Sequence, residues 1–273
     1  RNFSIFLFIA INILLPFNTS QLKANDLNRL LNEGRDKLVE KNYDEALKKF
    51  DEVIKKNPNS WRAYHHRGLT KENLKDHVGA ISDFSNAIKL NQKQWSGSYL
   101  SRGYNKHLIS DHKGAISDFT IAINLDPELY YPYYARAFSK GQIGNYNEAI
   151  KDLNLAITKK PNYQYSFGLR AEYKNNIGDL KGSLEDYSAA INIDPSESEF
   201  YINRALVNIK LKNYKQANVD FEKVLDIGNP IQKLDSITYV IENYLILSEL
   251  SKVSELIEKG KTLLNKSGSK EKE

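Results

Sequence analysis

Six small residues, Gly34, Gly68, Gly103, Ala137, Ala171 and Ala205, recur at intervals of 34, 35, 34, 34 and 34 residues. A chain with this beat has few folds open to it, because each period must be one supersecondary unit that buries its apolar face on its neighbours. Twelve residues after each comes a second small residue: Ala46, Ala80, Ala115, Ala149, Ser183 and Ala217. Four further on stands a ring or Leu: Phe50, Phe84, Phe119, Leu153, Tyr187 and Phe221. The spacing reads as two helices per period. On the first, Leu30, Tyr64, Tyr99, Tyr133, Phe167 and Tyr201 precede the small residue by four and act as wedges, and the second answers with pairs such as Ala122 and Ile123. Helices this short are marginal alone in water, so each must bury one face on a partner.

Pro ends the second helix at Asn57-Pro58, Asp126-Pro127, Lys160-Pro161 and Asp194-Pro195, since it lacks a donor and biases the preceding residue away from helix. Gln92 takes that place in the second period, and one extra residue near Gln94 to Ser96 predicts a looser joint.

Runs such as HRGLTKENLKDHVGAISDFSNAIKL and SRGYNKHLISDHKGAISDFTIAINLDP, repeated in register, resemble the tetratricopeptide repeat (TPR) family. The resemblance covers six units: 27–60, 61–94, 96–129, 130–163, 164–197 and 198–231. It implies an all-α fold, a right-handed superhelical solenoid of helix-turn-helix repeats. The first unit departs most, with Leu30 and Glu33 where later units have a ring and Arg, and the sixth has Asn218 in place of Leu or Ile. Beyond Pro230, helical patterns at 234–247 and 253–264 lack the small-residue beat. Residues 232–265 therefore read as capping helices or a degenerate seventh repeat, which a solenoid needs over its last apolar face. Residues 266–273 carry too little apolar content to order themselves and read as a flexible tail.

Arg67, Arg102, Arg136, Arg170 and Arg204 are each followed sixteen residues later by Asp83, Asp118, Asp152, Asp186 and Asp220. An arginine ladder for anionic ligands and a repeated ion pair between helices both fit this pattern. The first unit favours the pair, because there the same two places hold Glu33 and Lys49, with both signs exchanged together.

In the resembling family, fixed places on each first helix line an inner groove. Carried onto this chain, they give Arg62, His65, Leu69, Leu100, Tyr104, Tyr131, Tyr134, Phe138, Tyr165 and Glu172 as a protein-binding groove. The middle of this set is aromatic, which suits an extended segment or partner helix. No Lys-then-Asn pair stands where family members that clamp a terminal carboxylate carry one, which disfavours that mode. The expected function is a noncatalytic scaffold or assembly factor that binds a protein or peptide partner. The alternative is an accessory subunit to an envelope peptide- or glycan-processing enzyme.

Charge and chemistry narrow the classes further. The net charge is +5, but Lys and Arg alternate with Asp and Glu rather than forming a stripe, so no nucleic-acid partner is expected. The chain has no cysteine, and its five histidines lack spaced carboxylates, so neither a metal nor a cofactor is expected. No nucleophile elbow, phosphate loop or zincin pattern is present, and no enzyme activity is expected. Self-association is open. Methionine is absent even at the start, and because the repeats keep register the expected loss is the initiator before Arg1.

Residues 3–17, FSIFLFIAINILLPF, form an apolar run after a basic first residue. The run is short for a bilayer span and matches the hydrophobic region of a secretory signal. Residues 1–24 thus read as a signal peptide or an uncleaved membrane anchor, and each places the repeats in a periplasmic, secreted or lumenal setting. The resemblance and the Asn- and Lys-rich usage expected of an AT-rich genome point to a bacterial origin, and with the N-terminal run to a cell envelope. N-terminal sequencing of protein from its native host is expected to find a mature terminus between Ser20 and Asp26. Recovery of an intact 3–17 segment in the membrane fraction would select the anchor.

Overall fold

The computed structural model describes residues 24–91 and 95–268, with side chains described to residue 263. The expected leader lies outside these residues except for Ala24. So do residues 92–94 of the expected looser joint and the side chains of the expected tail. Among the described residues all regular structure is helical, in fourteen helices. Residues 24–39 form α1. There follow α2 (Tyr43–Lys56), α3 (Trp61–Asn73), α4 (His77–Leu90), α5 (Ser96–Leu108), α6 (His112–Leu125), α7 (Tyr130–Gln142) and α8 (Tyr146–Lys159). The last six are α9 (Gln164–Asn176), α10 (Leu180–Ile193), α11 (Ser198–Lys210), α12 (Tyr214–Ile227), α13 (Pro230–Ile246) and α14 (Leu250–Gly268). Two compact units divide between Pro127 and Glu128, the first holding α1 to α6 and the second α7 to α14. Among the described residues no helix is long and apolar enough to cross a membrane.

Within each unit consecutive helices pack on one another, and first helices also touch the next first helix, as in α3 with α5, α7 with α9 and α9 with α11. The small residues make this close approach possible. Ala46, Ala80, Ala115, Ala149, Ser183 and Ala217 are wholly buried, as are Ala137, Ala171 and Ala205. The rings that answer them, Phe50, Phe84, Phe119, Tyr187 and Phe221, are buried too. The second helices α2, α6, α8 and α10 stop where the X-Pro pairs stand, each closed by a cap N–H donating to the carbonyl four residues back.

The turn inside each repeat follows one plan. Lys41, Lys75, Ser110, Gly144, Gly178, Lys212 and Ser248 all have φ between 59° and 85°, the left-handed region that ends a helix. The next residue caps the following helix in several repeats, as Asp76, Asp111 and Asp179 accept from the N–H of Gly79, Gly114 and Gly182. Ser248 repeats this turn between α13 and α14, so the C-terminal pair uses the same hairpin although it lacks the small-residue beat.

The recurring Arg and Asp are ion pairs. In all five repeats Nε and Nη2 of the Arg donate to both carboxylate oxygens of the Asp at 2.6–3.0 Å. Each guanidinium also lies over the ring three residues before it: Tyr64, Tyr99, Tyr133, Phe167 or Tyr201. A lysine one turn beyond the Arg adds a third donor in four repeats, with Lys71, Lys106, Lys140 and Lys174 each at 2.8 Å from the same Asp. The remaining Nη1 of Arg67, Arg102, Arg170 and Arg204 reaches the preceding second helix, at Asp51, Ser85, Asn154 and Ser188. In the first repeat the reversed pair forms as well, Lys49 Nζ donating to Glu33 Oε2 at 2.6 Å.

Burial separates these pairs in energy. Asp118 is 1% exposed, and removing one member of such a pair strands two cations, at a cost of about 3–5 kcal/mol. The Glu33 and Lys49 side chains are each about a third exposed, where a pair is worth about 0–1 kcal/mol. Asp118→Ala is therefore expected to lower stability in urea unfolding by about 3–5 kcal/mol, and Glu33→Ala by no more than about 1 kcal/mol. Equal costs would show that the buried Asp is not what braces the repeat.

Candidate binding surface

Aromatic side chains gather at two joints between repeats, one in each unit, by the same local device. In the first unit Trp95, the residue before α5, packs 5.8 Å from Trp61 at the start of α3 and 4.6 Å from His65. In the second, Tyr163, the residue before α9, packs 5.0 Å from Tyr130 at the start of α7 and 5.4 Å from Tyr134. The register is identical: Trp95 and Tyr163 precede their small residue by eight, Trp61 and Tyr130 by seven, His65 and Tyr134 by three.

The second cluster is the larger. Ring contacts run from Tyr131 to Tyr134, on through Tyr163 to Tyr165, and from Tyr165 to Phe200 of α11, with centroids 5.4–6.1 Å apart. Lys160 stands over Tyr130 and Tyr163, 4.5 and 5.4 Å from their centroids. Burial, and after it Tyr130, Tyr131 and Tyr165, pushes the Tyr163 hydroxyl up to about 12. Burial chiefly raises Tyr134 as well. Both hydroxyls thus stay protonated at neutral pH and can donate as well as accept. The carboxyl of Glu172 on α9 is raised, first by partial desolvation and then by the nearby Glu199 of α11.

A close contact holds this surface in place. Tyr173 of α9 is buried, and its hydroxyl donates to the Phe138 carbonyl at 3.4 Å. Its ring covers Gly141 of α7 so tightly that a Cβ there would lie 2.0 Å from Oη. Glycine at 141 is what lets α9 approach α7.

The residues assigned to the groove from sequence separate accordingly. Tyr131, Tyr134 and Tyr165 come together, and Tyr165 is 41% exposed. Phe138 and Glu172 also present exposed side chains on α7 and α9. In the first unit Arg62 is exposed and lies over Trp61 at 4.9 Å, Leu69 and Leu100 are half-buried, and Tyr104 is 37% exposed. His65 is a correction. It is 3% exposed, enclosed by Trp95, Phe84 and Ser98, and burial lowers its pKa to about 3, so it is a neutral packing residue and not part of the exposed surface. Trp61, Trp95, Tyr130, Tyr163 and Lys160 were not assigned. The signal for them was present in the shared spacing of Trp95 and Tyr163, but it falls at the joint, outside the helix pattern.

The fold and the repeat register define a TPR protein. Sequence models of tetratricopeptide repeats match residues 26–60 and 198–227. The model described as the ETO1 C-terminal domain matches residues 61–210, more than half of the chain, and the chain belongs to that family. No curated protein matches the chain significantly. Among solved structures, it is similar to the C-terminal part of a TPR repeat-containing protein from Cytophaga hutchinsonii, at 17% identity and a TM-score of 0.75, covering 85% of this chain and 95% of that one. A tetratricopeptide repeat protein from Parabacteroides merdae matches at 16% identity and 0.66, covering 88% and 93%. YrrB, described as a TPR protein with an unusual peptide-binding site, matches at 18% and 0.56, covering 66% and 92%.

Gly141→Ala tests the contact behind the surface. Alanine gains about 1 kcal/mol in helix propensity, but overpacking against Tyr173 costs about 1–3 kcal/mol. A net loss of stability is expected, reversed to a gain when Tyr173 is first changed to Leu. A gain in the wild-type background would show that α7 and α9 are not held at this contact.

Proposed function

We propose that the chain is a noncatalytic protein-binding scaffold whose second unit presents the tyrosine surface of α7 and α9 to an extended segment or partner helix. The observation that carries this reading is the continuous run of ring contacts from Tyr131 through Tyr134, Tyr163 and Tyr165 to Phe200. Tyr offers broad apolar area at low rotamer cost together with a hydroxyl that bonds a peptide backbone. The likeness to YrrB, a TPR protein with an unusual peptide-binding site, supports a peptide as the class of partner. The apolar run at 3–17 supports an assembly or scaffolding role at a bacterial cell envelope.

Affinity capture from native membranes with mass spectrometry identifies the partner. The Tyr131→Ser, Tyr134→Ser double variant is then expected to bind it at least about tenfold more weakly, since buried aromatic anchors carry about 2 kcal/mol or more at interfaces. Its helical circular dichroism should stay close to wild type, and because Tyr134 also packs on the core, Tyr165→Ser at the exposed end of the same run should weaken binding with the melting temperature unchanged. A variant that melts would make these rings core, and full binding by a folded variant would move the surface elsewhere.

A further inference from the structure

A second recess in the same unit has a different chemistry from the tyrosine surface. It is a cleft of about 450 Å³ between α11 and α13, within the size range of ligand pockets. Its walls are apolar, formed by Ile202 and Leu206 of α11 and by Phe221 of α12. The Tyr239 ring of α13 stacks on Phe221 at 5.0 Å and 5°.

Asp235, Ser236, Thr238 and Glu242 of α13 complete the lining, and of these the Thr238 hydroxyl already donates to the Leu234 carbonyl at 3.2 Å. Asp235 and Glu242 stand seven residues apart, on the same side of the helix as Tyr239, and both are exposed at the rim. Among the described residues neither makes an ion pair, whereas the five buried aspartates of repeats two to six all do so. Ser236 is 1% exposed, lines the same cleft, and its Oγ has no hydrogen-bond partner. An unbonded buried hydroxyl costs stability, and here it lines the same cleft as two carboxylates that make no ion pair.

We propose that this cleft takes one basic side chain, arginine or lysine, of a partner segment lying along the first helices of the second unit. The aliphatic stem of such a side chain covers Leu206 and Tyr239. Its charged head supplies the donors that the rim carboxylates and Ser236 Oγ lack. A neutral aliphatic side chain would fill the apolar part and leave all three acceptors unanswered. An acidic one would meet like charge. The inference rests on the array being a peptide-binding scaffold, but it uses none of the tyrosine residues.

The test uses three probes, N-acetylarginine amide, N-acetyllysine amide and N-acetylnorleucine amide, titrated into the ¹⁵N-labelled full chain and followed by NMR. Saturable shifts confined to amides of α11 and α13 are expected with the arginine or lysine probe. Norleucine amide, and either basic probe on Glu242→Gln or Asp235→Asn, should bind about threefold to fivefold more weakly, the scale of a partly exposed charge pair. Ser236→Ala removes only an unbonded hydroxyl, so it should fold at least as stably as wild type while binding more weakly. Equal binding of norleucine, unchanged binding by the carboxylate variants, or absence of saturable shifts at α13 would each overturn the proposal. Failure here with loss of capture in the tyrosine variant would leave the scaffold reading standing. The reverse pattern would remove the tyrosine surface alone.

Discussion

One buried carboxylate in each repeat sets the terms for the helices around it. Asp83, Asp118, Asp152, Asp186 and Asp220 are almost wholly enclosed, and an isolated charge there would cost far more than the repeat could supply. The first helix must therefore deliver an Arg in one orientation, both of its donors on the carboxylate, and that requirement fixes how the two helices of a repeat meet. The same guanidinium, as in Arg102, stands over the wedge ring one turn earlier and uses its last nitrogen on the helix before. A single group thus couples the inside of a repeat to its neighbour. The arrangement weakens at both ends, with the partly exposed Glu33 and Lys49 in the first repeat and Asn208 in place of the second cation in the sixth.

The fold was legible because its signal is written six times. Each small residue is ambiguous alone, but its recurrence in register with a ring sixteen residues on leaves only helix pairs. The exchange of Glu33 and Lys49 revealed the ion pair for the same reason. The added lysines, Lys71, Lys106, Lys140 and Lys174, recur just as regularly, yet they merge with a helix surface that is rich in lysine everywhere. The site was less legible because its key contacts come from joints. Trp95 and Tyr163 lie between helices, where no periodicity points to them, and Trp95 is what closes over His65 and removes it from the surface. A place that faces a groove in one repeat is interior in another when the following joint carries a large ring.

The related structures show how little of the sequence the fold consumes. At 17% identity the Cytophaga hutchinsonii structure still matches with a TM-score of 0.75. What must be kept is the order of small, wedge and ring positions, which many residues satisfy. The exposed places on the first helices remain free to vary. Members of such a family can therefore differ in partner while sharing a backbone, and the chemistry of a surface has to be read from its own side chains.

The left-handed turn residues carry an evolutionary consequence. Five of the seven are Lys or Ser, not Gly, although a side chain in that conformation costs on the order of 1 kcal/mol. These turns lie far apart, so their costs add almost independently. They form a reserve of single-codon changes through which the array can gain or lose thermal robustness while its recognition surface drifts separately. In a repeat protein of this design, adaptation to temperature and adaptation to a new partner need not compete for the same positions.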